Sequence, residues 1–196
     1  MERKMQESKI LYVFDFDDTL VTCDAKVKIT KPNGDVNFLK AIEFSEYIYG
    51  GWPEGDLIDH TDFWEYPPNG RWVAWTKNRL DAVLEDDNCT IAIITGRERL
   101  EPIIMWMNKN LGKQKTERIA FHSTDAKPKE KKYREVLKNI SLLERVVIYE
   151  DSQEALDDML TVCQEMGIKY SGYKISKSII DAKDYEEVNY VCVEAV

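Results

Sequence analysis

The sequence predicts an α/β fold: a doubly wound, Rossmann-like parallel sheet with helices on both faces and a small cap inserted after the first strand. Three observations carry that prediction. Four continuous apolar runs, each of five to seven residues, are spaced along the chain. Helix-like segments separate them. Residues 22–70, between the first run and the second, follow neither rhythm. Continuous apolar runs of this length suit strands buried on both faces of a parallel sheet. Strands alternating with helices form a sheet between helical layers.

The first strand is residues 10–15 (ILYVFD). Residues 26–30 and 35–39 flank Pro32-Asn33-Gly34, which reads as a β-hairpin turning at Asn33-Gly34. A short helix is expected over 41–49. Residues 50–70 are rich in glycine, proline and aromatic side chains, among them Trp52, Phe63, Trp64 and Tyr66. Residues 22–70 therefore read as a small cap over the sheet edge, with 1–21 and 71–196 forming the core. A helix over 71–85 places Trp72, Trp75, Leu80, Val83 and Leu84 mostly on one face. The second strand is 89–95 (CTIAIIT), followed by a helix over 98–111 that stops before Gly112. The third is 118–122 (RIAFH), followed by a helix over 128–138 with proline in its first turn, where the missing N–H costs nothing. The fourth is 145–150 (RVVIYE), and the helix over 152–166 ends at Gly167, a usual helix stop.

Composition narrows the function. No apolar run approaches the roughly 20 residues a membrane helix needs, and the charged opening MERKMQESK does not read as a secretory signal. Cys23, Cys89, Cys163 and Cys192 form no Cys-x-x-Cys pair, so reduced thiols and a cytoplasmic setting are expected. His60 and His122 are too isolated to suggest zinc. A net charge of −9 argues against indiscriminate nucleic-acid binding. Residues 109–138 nevertheless hold ten Lys or Arg against four acids. That stretch is either a pair of solvated helix faces or a basic rim for a phosphate-rich substrate.

Ligands of open α/β sheets bind beyond the carboxyl ends of the strands, and the polar residues of this chain gather there. The first strand runs into Asp15-Phe16-Asp17-Asp18-Thr19, the second into Thr95-Gly96-Arg97, and the fourth into Glu150-Asp151-Ser152. Lys127-Pro128-Lys129 follows the third. Displacing a phosphate ester needs such a set. A carboxylate can attack phosphorus and form an acyl phosphate. A metal ion offsets the repulsion between that carboxylate and its anionic substrate, and magnesium prefers oxygen ligands. A general acid protonates the departing alkoxide and then activates water. Fixed donors and a cation hold the equatorial oxygens. Each signal alone is weak, since Asp and Thr also punctuate loops and Asp-Ser also caps helices. Their occurrence together and in this order is specific.

From residue 10 to about 167 these motifs resemble the haloacid dehalogenase superfamily, whose first motif is Asp-x-Asp-x-Thr after an apolar strand. The resemblance implies a phosphatase in which Asp15 is the nucleophile and Asp17 the acid/base, with the Asp17 backbone carbonyl on Mg2+. It makes Thr95 the phosphate-holding hydroxyl; Gly96 and Arg97 beside it are candidate substrate contacts, Arg97 being otherwise an exposed charge at a helix entry. Asp15, Asp17, Glu150 and Asp151 become the metal set. Lys127-Pro128 followed by Tyr133 matches the third motif's register, which favours Lys127 as its lysine. Lys129 is the alternative, and otherwise a substrate contact. Asp18 stands where that superfamily often has glycine. An insertion directly after the first motif resembles the class whose cap lies there. A cap this short would leave the site partly open to something larger than a sugar phosphate.

A sparser likeness concerns the substrate. Trp64-x-x-Pro67-Pro68, Trp72-x-x-Trp75-x-x-Asn78 and Tyr149-Glu150-Asp151 resemble haloacid dehalogenase domains linked to RNA repair. With the basic stretch at 109–138, that implies a nucleotide or a nucleic-acid end as the phosphorylated partner. A phosphotransferase of the same fold and a non-catalytic phosphate-binding domain are the alternatives. A signalling receiver is disfavoured, because its phospho-acceptor ends a middle strand of the chain order rather than the first.

Overall fold

The computed structural model describes residues 9–49, 51–125, 128–181 and 191–195. The chain opens with β1 (Ile10–Phe14) and then the two-residue strand β2 (Val21–Thr22). An excursion follows: β3 (Val27–Thr30), β4 (Val36–Leu39), α1 (Ala41–Tyr47), β5 (Leu57–Asp59) and a 3-10 turn at Thr61–Trp64. Short strand β6 (Arg71–Trp72) leads into α2 (Ala74–Leu84), β7 (Cys89–Thr95), α3 (Glu101–Leu111) and the single turn α4 (Lys113–Thr116). The remainder is β8 (Ile119–Ser123), α5 (Glu130–Lys138), β9 (Arg145–Glu150), α6 (Gln153–Met166), β10 (Lys169–Lys174), α7 (Lys177–Asp181) and β11 (Val191–Ala195).

The fold is mixed α/β around a six-stranded sheet ordered β11-β10-β9-β1-β7-β8, parallel except for β11. Strand β1 lies in the middle, with Phe14 level with Ile93 of β7 and Tyr149 of β9. Its residues alternate between two apolar clusters, as strand geometry requires. Leu11 and Val13 pack with Tyr133, Val136 and Leu137 of α5 and Leu156, Met159 and Val162 of α6. Phe14 packs with Leu80 of α2, Ile103 and Trp106 of α3, and Ile179 of α7. Burying each such side chain stabilises the fold by about 1.5–3 kcal/mol, so register slippage of β1 would be costly. The sheet thereby brings the ends of β1, β7 and β9 side by side.

The four expected strands form within one residue of their predicted ends, and three helices start two or three residues later than expected. Arg71–Trp72 leaves the predicted helix and pairs antiparallel with Val21–Thr22, closing the base of the excursion. The next helix begins at Glu101 rather than residue 98, and α5 begins at Glu130 rather than 128. The expected stop of α6 is present: Gly167 is left-handed at φ 67° and its N–H reaches Gln164 O at 3.2 Å. Strands β10 and β11 add to one edge of the sheet. Gly172 of β10 is required by a close approach, because a Cβ there would run into the Tyr170 hydroxyl.

The excursion is a three-stranded antiparallel sheet, β4-β3-β5, with α1 after β4. The hairpin turn is as predicted: Gly34 has φ 90°, and Lys31 N donates to Asp35 O at 2.8 Å. Its small apolar cluster comprises Cys23, Ala25, Val27, Ile29, Phe44 and Phe63. Among the described residues no helix is long and apolar enough to cross a membrane. Cys23, Cys89 and Cys163 are free thiols.

Candidate active site

Beyond β1 the chain folds back at once, with Leu20 N and Val21 N both donating to Phe16 O, at 3.0 and 2.9 Å. This turn buries Asp15, Asp17, Asp18 and Thr19 together. Asp18 takes φ 55°, a left-handed conformation that glycine adopts freely and aspartate tolerates. Its carboxylate gains a specific task in return: Oδ2 accepts from Ile42 N of α1 at 3.0 Å, tying the excursion to the first strand end.

Asp15 sits between the two flanking strands, its own N–H donating to Tyr149 O at 3.0 Å. The Lys129 ammonium bridges Asp15 Oδ1 at 2.7 Å and Glu150 Oε2 at 2.6 Å. Glu150 Oε1 accepts from Ser152 N at 3.1 Å, and Asp151 Oδ2 accepts from the Ser45 hydroxyl of α1 at 3.1 Å. One carboxylate oxygen from each of Asp15, Glu150 and Asp151 lies within 4.8 Å of the others. At the end of β7, Thr95 is buried, and its hydroxyl oxygen accepts from Arg97 N at 3.2 Å. Gly96 has open space where a Cβ would be.

Four buried carboxylates (Asp15, Asp17, Glu150 and Asp151) thus share two cations, Lys129 and Arg97. Full ionisation would leave two negative charges uncompensated in a poorly solvated site, which is costly. The titration reflects that imbalance. Burial pushes Asp15 up to about 7, with Glu150 and Asp17 adding to the shift and Lys129 opposing it. Burial, Glu150 and Asp15 hold Asp151 well above the ordinary carboxylate range. An oxygen-only donor set with this excess of negative charge fits a hard divalent cation such as Mg2+.

The pocket above these groups has a volume of about 190 Å³. Its floor holds Asp15, Asp17, Thr95, Gly96, Arg97, Lys129, Glu150 and Asp151, so these sequence-predicted residues come together. Lys127 lies outside the described residues, and the ammonium seated among the acids is that of Lys129. The upper wall is aromatic and apolar, with Phe44, Ile48, Trp52, His60, Phe63 and Trp64. Sequence reasoning missed Ser45, whose place in the site comes from folding α1 over the β9 end and leaves no local signal. Of the tryptophans singled out, Trp64 lines the pocket, whereas Trp72 and Trp75 pack on the core beside α3 and β9. Among the described residues of the basic stretch at 109–138, Lys129 is the cation that lines the pocket. Lys115, Arg118, Lys132 and Arg134 instead pair with Glu85, Asp87, Glu135 and Glu130.

Fold and site together describe a mixed α/β protein with an acidic, lysine-bridged pocket at the carboxyl ends of its parallel strands. No family model and no curated protein matches the chain. Two solved structures resemble it, both of the Legionella pneumophila effector Ceg4 at 16% identity. One carries an N-terminal TEV protease cleavage sequence; it covers 93% of this chain and 92% of its own at a TM-score of 0.55. The other carries an N-terminal yeast Hog1p sequence; it covers 95% of each chain at a TM-score of 0.56. Likeness at that identity speaks to the fold.

Proposed function

We propose that this chain is a magnesium-dependent phosphoric monoester hydrolase of the haloacid dehalogenase type, working through a phospho-aspartate on Asp15. In this reading the core is doubly wound and the β3–β5 excursion is its cap. The observation that carries the proposal is the buried cluster of Asp15, Lys129, Glu150 and Asp151, with Thr95 and Asp17 facing the same pocket. Carboxylates of Asp15, Glu150 and Asp151 would hold Mg2+, with the Asp17 carbonyl as the resemblance implies. The bound ion neutralises charge and polarises phosphoryl oxygens.

The chain's own groups then account for the chemistry. An Asp15 carboxylate oxygen bonds to phosphorus as the bond from phosphorus to the leaving oxygen breaks. Asp17 gives that oxygen a proton, and the alcohol departs. Water next attacks phosphorus, Asp17 takes its proton, and the Asp15 carboxylate is released with inorganic phosphate. The Thr95 hydroxyl and Lys129 ammonium hold phosphoryl oxygens as charge spreads over them.

The wall of Phe44, Trp52, Phe63 and Trp64 suits a flat, largely apolar leaving group, and a nucleotide base can stack there. A longer nucleic-acid end needs cations that track its backbone, and Lys109, Lys113, Lys115 and Lys138 lie off the pocket. The test is phosphate release, with and without magnesium, from sugar phosphates, nucleotides, aryl phosphates and 5′- or 3′-phosphorylated oligonucleotides, with Asp15→Asn in parallel. Release that needs both magnesium and Asp15 is expected, with nucleotides or aryl esters ahead of oligonucleotides. Undiminished release by Asp15→Asn would sink the mechanism.

A further inference from the structure

Arg97 has an arrangement that a substrate-binding arginine would not need. Its side chain is 1% exposed, two residues beyond Thr95. Nε donates to Asp17 Oδ2 at 2.7 Å and Nη2 to Asp17 Oδ1 at 2.7 Å, a two-point clamp on the carboxylate. Nη1 donates to Phe63 O and Glu65 O, each at 3.0 Å, at the end of the 3-10 turn that supplies part of the pocket wall. Nη2 also approaches Cys23 Sγ at 3.8 Å. The five guanidinium N–H groups thus have five acceptors within the chain. The ring centroids of Phe16 and Phe63 lie 5.5 and 5.1 Å from the guanidinium carbon, confining it further.

We propose that Arg97 is a positioning residue that fixes the proton-transfer carboxylate Asp17 and the leaving-group wall in one rigid relation. This role rests on the phosphatase reading above. A carboxylate has about four lone-pair sites. The clamp occupies one on each Asp17 oxygen, the Cys23 thiol also faces Oδ1 at 3.9 Å, and the second site on Oδ2 is left for the proton that passes to the leaving oxygen. The same guanidinium holds the Phe63–Glu65 backbone, so the wall against which the leaving group rests is referenced to the acid that protonates it. Lysine cannot reproduce this, because an ammonium lacks the planar fork that grips both oxygens and reaches two carbonyls at once.

Acid catalysis matters most when the leaving group is a poor one, which separates this role from a merely structural one. The experiment compares kcat and KM of wild type, Arg97→Lys, Asp17→Asn and the double variant on 4-nitrophenyl phosphate and on a simple alkyl phosphate. Arg97→Lys should lower kcat at least about tenfold more for the alkyl ester, a part of the roughly 10²–10⁴-fold that a positioned acid contributes. KM should change little. In the Asp17→Asn background the same substitution should cost less than about threefold, because the two residues act as one unit. Equal losses on both esters, or fully additive losses, would overturn the role and leave the phosphatase reading standing. Turnover that survives Asp15→Asn would overturn that reading and this role with it. Should Arg97→Lys fail to fold, amide hydrogen exchange in Asp17→Asn decides instead. Faster exchange at residues 61–65 than in wild type is expected, and unchanged exchange there overturns the proposal.

Discussion

The strand-end cluster and the β4-β3-β5 excursion are built on opposite terms. Around the cluster, β1, β7 and β9 are buried on both faces, and even the charged side chains at their ends are almost wholly enclosed. The excursion has one small apolar cluster and leaves Val36, Phe38 and Leu57 on its outer surface, with Leu57 72% exposed. It is joined to the core through polar contacts at or beside the acids that form the site: Ile42 N on Asp18, Ser45 on Asp151, and Arg97 from Asp17 to the Phe63 and Glu65 carbonyls. Rigidity is concentrated at the strand ends. The groups that would perform chemistry stand on tightly packed strands, and the aromatic pocket wall is a thin layer held by hydrogen bonds.

That contrast makes the two regions respond differently to change. On the proposed mechanism Asp17→Asn keeps the shape of the cluster and removes its proton transfer, so turnover of an alkyl phosphate should fall about 10²–10⁴-fold, measured by steady-state phosphate release. In the core, Phe14→Ala opens a cavity among Tyr149, Ile93 and α2, and should cost about 3–5 kcal/mol in urea unfolding. The matching change in the excursion, Phe38→Ala, alters a side chain that is 57% exposed. It should shift stability by no more than about 0.5 kcal/mol in the same assay. A large loss there would mean that the outer face of the excursion is packed against something.

Between those extremes lies the dependence on pH and metal. Asp15 titrates near 7 in the fold because it is buried, against an ordinary value of 3.8, and Asp151 is displaced the same way. Between about pH 4 and 7 the folded chain therefore binds more protons than the unfolded chain, so stability falls as pH rises through that window. Thermal melting without metal should occur at a lower temperature at pH 8 than at pH 5. In the proposed site magnesium would bind the ionised carboxylates, so it should raise the melting temperature more at pH 8. Saturation at a hundredfold over Kd would contribute about 2.7 kcal/mol. Equal magnesium effects at both pH values would separate the metal from these carboxylates.

The core was readable because its strands carry a signal of their own. Runs such as CTIAIIT are too apolar for a surface and too short for most helices, and the polar residues stand where those runs stop. Asp15, Asp17, Thr95, Glu150 and Asp151 follow directly from that rule. Strand β10 (KYSGYK) escaped it, because its aromatic and polar residues do not form an apolar run, and its place depends on pairing with β9. Arg71–Trp72 looked helical by periodicity and became strand because the base of the excursion had to close against Val21–Thr22. Lys129 was harder, since five lysines crowd residues 127–138 and only tertiary packing distinguishes the one aimed at Asp15. Ser45 and the double grip of Arg97 depend on how the excursion folds back, which no local pattern records.

The proposed phospho-aspartate is a bond to one atom of one residue, and it can be trapped. The protein would be mixed with its preferred ester and magnesium, quenched during turnover, treated with borohydride, and digested for peptide mass spectrometry. An acyl phosphate on Asp15 is reduced to homoserine, so homoserine at position 15 is predicted when ester and magnesium are both present and not when either is withheld. Sustained turnover with Asp15 recovered unreduced, or with the reduced residue at another position, would contradict the account.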